Sequence, residues 1–234
     1  MSRKSRNRAL IAISSAVVVL GVYFAVVYHR YRLNVDLIVA VKSSNAGHVR
    51  ELLAGGADPN AVDSSTSSPI TMRTVIERML GKNETHADDP TALMLVFSLD
   101  QIVDLHSNHE AIEIAEALLH AGAHPNLTRS SGWYSNPVLM HATVAGCLPC
   151  VQSLLHYRAD PNLRGPQGMT PIMLAPDVRI AEALIKSGAD VNITSRTGKN
   201  AIWFAELNPN HPSGLIQLLR SHLKKSPEQR KNQP

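Results

Sequence analysis

The stretch "ELLAGGADPNAVD" (residues 51–63) closes a short run of helically spaced apolar residues with Gly-Gly-Ala-Asp-Pro-Asn. Nearly the same phrase returns as "ALLHAGAHPNLT" (117–128), "SLLHYRADPNLR" (153–164) and "ALIKSGADVNIT" (183–194). A phrase that recurs in phase marks a repeat architecture, in which no single unit can bury its own apolar face. Outward from the turn, Ser68-Pro69-Ile70, Thr170-Pro171-Ile172 and Asn200-Ala201-Ile202 each begin ten residues after an Ala-Asp step. "PVLMHA" opens similarly at Pro137, and 33 residues before Ser68 "VDLIVA" begins at Val35. The units then start near 35, 68, 137, 170 and 200, at intervals of 33, 69, 33 and 30 residues. One unit is about doubled in length and one is three residues short.

Each unit reads as helix, tight turn, helix and long loop. In the third, Leu139, Met140 and Ala142 supply the first helix and Gly146 ends it. Pro149 suits the first turn of the next helix, where a missing N–H costs little. Val151, Leu154 and Leu155 then recur at helical spacing, as do Val49, Leu52 and Leu53 in the first unit. Gly56, Gly122 and Gly188 follow the second helices, where glycine adopts the left-handed conformation most easily. Arg158 holds that place in the third unit, which predicts a strained helix end.

These features resemble ankyrin repeats: the 33-residue period, "MTPIMLA" at 169–175, and the Gly-Ala-Asp-x-Asn steps. The resemblance covers residues 35–221. It implies an all-α ankyrin-repeat solenoid of about five stacked helix-turn-helix units, monomeric, that binds another protein through its loops and concave face. It implies no enzyme activity, no cofactor and no metal. The histidine of the family's Thr-Pro-Leu-His opening is missing, and Met140, Met173 and Trp203 take its place, so apolar packing replaces a hydrogen bond.

Before the repeats, residues 9–28 ("ALIAISSAVVVLGVYFAVVY") carry no charge. Twenty helical residues span roughly 30 Å, the thickness of a bilayer's hydrocarbon core. Tyr23, Phe24, Tyr28 and Tyr31 gather toward one end, as interfacial aromatics do. A cleaved secretory signal would have a shorter apolar core and a small-x-small cleavage site; the run ends in "VVYHRYR" instead. The reading is a single transmembrane helix, residues 9–28, in contact with the lipid bilayer. It lies between a basic tail (1–8) and a juxtamembrane linker (29–34), with a basic disordered tail at 222–234. Arg3, Lys4, Arg6 and Arg8 on one side, against Arg30, Arg32 and Lys42 on the other, favour a cytoplasmic amino terminus. The expected location is a bacterial inner membrane with the repeats in the periplasm, supporting an envelope or periplasmic protein; a cytoplasm-facing scaffold is the alternative.

The net charge of +4 is concentrated in the two ends. That distribution argues against a nucleic-acid groove, which needs cations along one folded face. Four histidines, His106, His109, His120 and His124, fall close together in sequence, but without the convergent ligand pattern of a zinc site. Cys147-Leu148-Pro149-Cys150 has the form of a redox pair. Its place in a repeat favours structural thiols, Cys150 partly buried and Cys147 near the surface. A disulfide between Cys147 and Cys150 suits only an oxidising compartment, and a thiol-disulfide redox protein is the competing function. Asn83, Asn126 and Asn192 open glycosylation-type triplets, two of them within turn phrases.

Two features are expected to serve a partner. The enlarged second unit carries an insertion near 81–108, read as a helix over 91–105 inserted after the Ser68 opening, with a decayed whole repeat as the alternative. Trp133 and Tyr134 lie in a lengthened loop, and large aromatics in loops favour interaction hot spots. The opposing expectation is that both fold back onto the neighbouring insertion.

Overall fold

The computed structural model describes residues 3–63, 89–97, 109–130, 132–207 and 213–223, with side chains of its first segment described from Val17 onward. Helix α1 (Arg3–Lys42) is 40 residues long. It is followed by α2 (Ala46–Ala54), α3 (Ala92–Val96), α4 (His109–His120), α5 (Val138–Val144) and α6 (Leu148–His156). A 3-10 helix (Pro171–Leu174), α7 (Val178–Lys186), α8 (Ala201–Leu207) and α9 (Ser213–His222) complete the order. The end of α1, α3, α5, the 3-10 helix and α8 form a row of first helices; α2, α4, α6, α7 and α9 form a row of second helices behind them.

The recurring phrase is the device that ends each second helix. Gly56 N–H donates to Leu53 O at 3.1 Å and Ala57 N–H to Leu52 O at 3.0 Å. This double bond satisfies two of the carbonyls a helix end leaves orphaned. The same pair closes α4 through Gly122 and Ala123, and α7 through Gly188 and Ala189. Gly56, Gly122 and Gly188 have φ of 92°, 98° and 96°. Arg158 makes the identical bonds at φ 66°, so the expected strain is present. The leucine that accepts each bond (Leu52, Leu118, Leu154, Leu184) is buried, so one residue both caps the helix and fills the core.

The asparagine of each phrase joins layer to layer. Asn60 Oδ1 accepts from His124 N–H, Asn126 Oδ1 from Asp160 N–H and Asn162 Oδ1 from Asp190 N–H, all at 2.8 Å. Each amide group also donates forward, Asn60 to Gly122 O, Asn126 to Arg158 O and Asn162 to Gly188 O. The row begins on α1, where Asn34 Oδ1 accepts from Asp58 N–H at 2.8 Å. Asn192 donates through its amide group to its own Asp190 carboxylate at 2.8 Å.

Two expectations need correction. Residues 29–34 form no linker: α1 passes through them without a break and becomes the first helix of the first repeat, burying Leu37, Ile38, Ala40 and Val41. The phase of the second repeat was also misplaced. Its first helix is α3, capped by Thr91 Oγ1, which accepts from Met94 N–H at 3.3 Å. Val62 and Thr91 form an antiparallel bridge, and Asp63 N–H donates to Pro90 O. Asp63 and Pro90 thus meet directly, and the described part of the helix expected as an addition over 91–105 is a core layer packed on α1 and α4. Leu93, Met94, Val96 and Phe97 are at most 2% exposed. Ser68, and the remainder of the insertion at 81–88 and 98–108, lie outside the described residues. The short fourth repeat has its own cause. Pro176 forces Ala175 to an extended conformation (φ −62°, ψ 120°), which stops the first helix after one 3-10 turn.

Among the described residues no helix is long and apolar enough to cross a membrane, and the contact with the lipid bilayer expected for residues 9–28 gains no support from that part of α1. Between Val17 (62% exposed) and Tyr28 (46%) most of its apolar side chains are exposed, while Phe24 and Val27 are half-buried.

Replacing Asn162 by Ala removes both interlayer bonds and is expected to cost about 1–2 kcal/mol. Arg158→Gly should stabilise by about 0.5–1 kcal/mol, because glycine avoids the left-handed penalty. Denaturation midpoints of the two variants check both signs.

Candidate partner-binding face

The two rows of helices present different chemistry. The second helices expose charge: Arg50 and Glu51 on α2, Glu110 and Glu116 on α4, Arg179 and Lys186 on α7. Much of it holds layers together. Arg50 Nη1 donates to Glu113 Oε2 at 3.1 Å, and Ser153 Oγ to Glu116 Oε1 at 2.8 Å. An open groove of about 830 Å³ runs across α2, α4 and α6, and these polar contacts cross it.

The first helices carry little charge and expose apolar side chains. Beyond the apolar part of α1, the large exposed hydrophobics among the described residues are Val39 (59%), Val144 (53%), Trp203 (37%) and Leu207 (65%). They sit on α1, α5 and α8, and none is on a second helix. Met94, Met140 and Met173 are at most 4% exposed, so the position of the missing histidine is filled by buried apolar packing. Trp203 occupies the same position in the last repeat, where its ring lies 5.1 Å from Phe204 and 4.9 Å beneath Lys199 Nζ. The chain itself marks this face: "PVLMHATVAG", "TPIMLAP" and "NAIWFAE" are nearly free of charge.

Finger loops border the same face. Arg164 Nη1 donates to Thr194 O at 2.9 Å and Arg196 N–H to Gln167 O at 3.0 Å, tying the third finger to the fourth. Trp133 and Tyr134 form a 3-10 turn (Trp133–Ser135) in the second finger, closed by Arg129 N–H donating to Tyr134 O at 2.9 Å. Tyr134 is half-buried against the core; the Trp133 side chain, and most of the insertion on which both aromatics were expected to fold, lie outside the described residues.

Cys147 and Cys150 are bonded to each other, with Cα atoms 5.3 Å apart. Both are buried, at 0% and 2% exposure. The surface position expected for Cys147 is therefore wrong, and the reason is local. Cys147 is the N-cap of α6, as Asn45 is of α2 and Asp177 of α7, and its Sγ accepts from Cys150 N–H at 3.3 Å. A cap side chain folds back over its own helix start, here beneath α5.

The candidate histidines do not converge. His109 is exposed beside Glu113, His120 lines the outer groove, His124 donates its backbone N–H to Asn60, and His106 lies outside the described residues. Among the described residues no group of three or more His, Cys, Asp or Glu is placed to hold a metal. Asn126 and Asn192 use their side-chain amides in the turns, so glycosylation there would break bonds the stack depends on; Asn83 lies outside the described residues.

The fold agrees with comparison to known families. The family model for ankyrin repeats (3 copies) matches residues 104–195 and 139–230. Together these span more than half of the 234-residue chain. The chain belongs to the ankyrin-repeat family, whose repeats serve as protein–protein interaction modules.

With the disulfide buried, a thiol reagent is expected to label neither cysteine of the folded, unreduced protein. Two labels should appear only after denaturation and reduction together, a count that mass spectrometry reads directly.

Proposed function

We propose that this chain is a single-pass membrane protein that displays an ankyrin-repeat solenoid and binds another protein on its first-helix face, bordered by the finger loops. The observation that carries the binding reading is the segregation of exposed apolar side chains. Val144, Trp203 and Leu207 lie on first helices, while the second helices expose charge. An apolar surface rimmed by polar loops is what a protein interface presents before association.

The anchor is supported by the uncharged run over 9–28, by the exposure of most of its valines from Val17 onward, and by the continuity of α1. Residues 9–16, whose side chains lie outside the described residues, complete the apolar length that the described part lacks. The periplasmic side of a bacterial inner membrane is supported by the four basic residues ahead of the run, and by a disulfide, which persists in oxidising compartments. There the partner would be an envelope or periplasmic protein. A redox function for Cys147 and Cys150 has less behind it, because both sulfurs are shut away from a substrate.

Crosslinking of the full chain in native membranes, followed by mass spectrometry, identifies the partner. Val144→Asp and Trp203→Ala should each lower its recovery about tenfold, whereas Glu182→Lys on α7 should leave it unchanged. A reporter fused after Pro234 that works only when exported should be active; inactivity places the repeats in the cytoplasm.

A further inference from the structure

The asparagine row begins at Asn34, which lies on the same unbroken helix as the apolar run. From Tyr28, the last residue of that run, to Asn34 the helix rises only about 9 Å. The row then crosses the stack from layer to layer, from Asn60 through Asn126 to Asn162. It keeps the turns, and the finger loops that leave them, at about the level of Asn34. The finger edge is thus the part of the solenoid nearest the bilayer, about one Debye length from it at physiological salt.

The described loops of that edge are mostly basic, the exceptions being two buried residues of the first finger, Asp63, which pairs with Lys42 Nζ, and Asp89. The described fingers at 125–137, 161–170 and 191–200 contain Arg129, Arg164, Arg196 and Lys199 and no acidic residue. The turn carboxylates of Asp58, Asp160 and Asp190 share the edge, and each accepts a backbone N–H from the asparagine two residues on. Set against those three carboxylates and Asp36, Asp63 and Asp89, the finger cations together with Arg30, Arg32, Lys42 and Arg158 leave an excess of two positive charges. Arg196 and Arg164 are exposed, and long basic side chains reach several ångströms from their backbone.

We infer that the finger edge rests on the anionic lipid headgroups of the bilayer that holds α1, which leaves the apolar first-helix face open to the protein partner. This rests on the anchored reading above and adds a second, electrostatic contact to it. Each cation beside an anionic surface shifts occupancy about fivefold. The helical continuity of α1 matters here, since a flexible linker would let the solenoid turn away.

The test uses the full chain in lipid nanodiscs, with a nitroxide at the exposed finger position Gln167→Cys and a nickel-chelating lipid as relaxing agent. In discs containing phosphatidylglycerol the label should relax at least about threefold faster than in phosphatidylcholine discs. Arg196→Gln with Lys199→Gln should bring the rate down to the phosphatidylcholine level, with the helical circular dichroism unchanged. A chain that stays with the discs yet shows equal relaxation in both lipids overturns the inference, and leaves the basic row to an acidic polypeptide. A chain that elutes apart from the discs overturns the anchor itself, and the inference with it.

Discussion

The stack depends on a hydrogen bond that no repeat can make by itself. Each turn exposes the backbone N–H of its Asp or His, and the acceptor is the asparagine side chain of the preceding layer. The same asparagine donates forward to the carbonyl at the helix end of the next layer. Two of the three bonds are exposed and one is half-buried, so each is worth about 0.5–1.5 kcal/mol net, and a layer standing alone forfeits that at its turn as well as the cover of its apolar face. Stability is therefore shared between neighbours, as expected of a quasi-one-dimensional solenoid. The row starts before the first turn: Asn34 supplies the first acceptor from a helix, so even the first layer leans on a residue outside its own turn.

The sequence was most legible where one residue does one backbone job. Glycine at 56, 122 and 188 announced left-handed helix ends, and the exception at Arg158 was readable because the surrounding phrase stayed intact. Asparagine was legible only in part. Its local turn role could be inferred from composition, but its bond across a repeat joins residues 28 to 64 positions apart, which spacing alone does not reveal.

The second repeat was misread because proline was given too much weight. Ser68-Pro69-Ile70 has the expected spacing and the helix-opening proline, yet the layer opens at Thr91-Ala92-Leu93-Met94. Thr170-Pro171-Ile172-Met173 shares the threonine at the N-cap position and the buried methionine, although the Thr170 hydroxyl makes no capping bond. Threonine decides the helix start because its hydroxyl accepts the Met94 amide, whereas proline only avoids an unneeded donor. Cys147 was misplaced for a related reason. Judged as a turn residue it belonged at the surface, but as the counterpart of Asn45 and Asp177 it belongs over the helix end.

The join between α1 and the stack could not be read from composition, because the change from apolar to mixed sequence near residue 29 looks like a boundary. Physically nothing interrupts the helix there: residues 29–36 contain neither glycine nor proline, and the side of α1 that turns inward at Leu37 already meets the second helix at Leu33, which approaches Gly55. A helix breaks where its backbone bonds lose partners or a residue cannot adopt the conformation. Neither condition holds, so the local rule for continuing outweighs the compositional cue for stopping. Asn34 then serves as helix residue and first acceptor of the interlayer row at once, and any motion of α1 against the repeats would have to break that bond and expose the buried residues just beyond it. Whatever holds the amino-terminal half of α1 therefore also fixes the direction in which the solenoid faces.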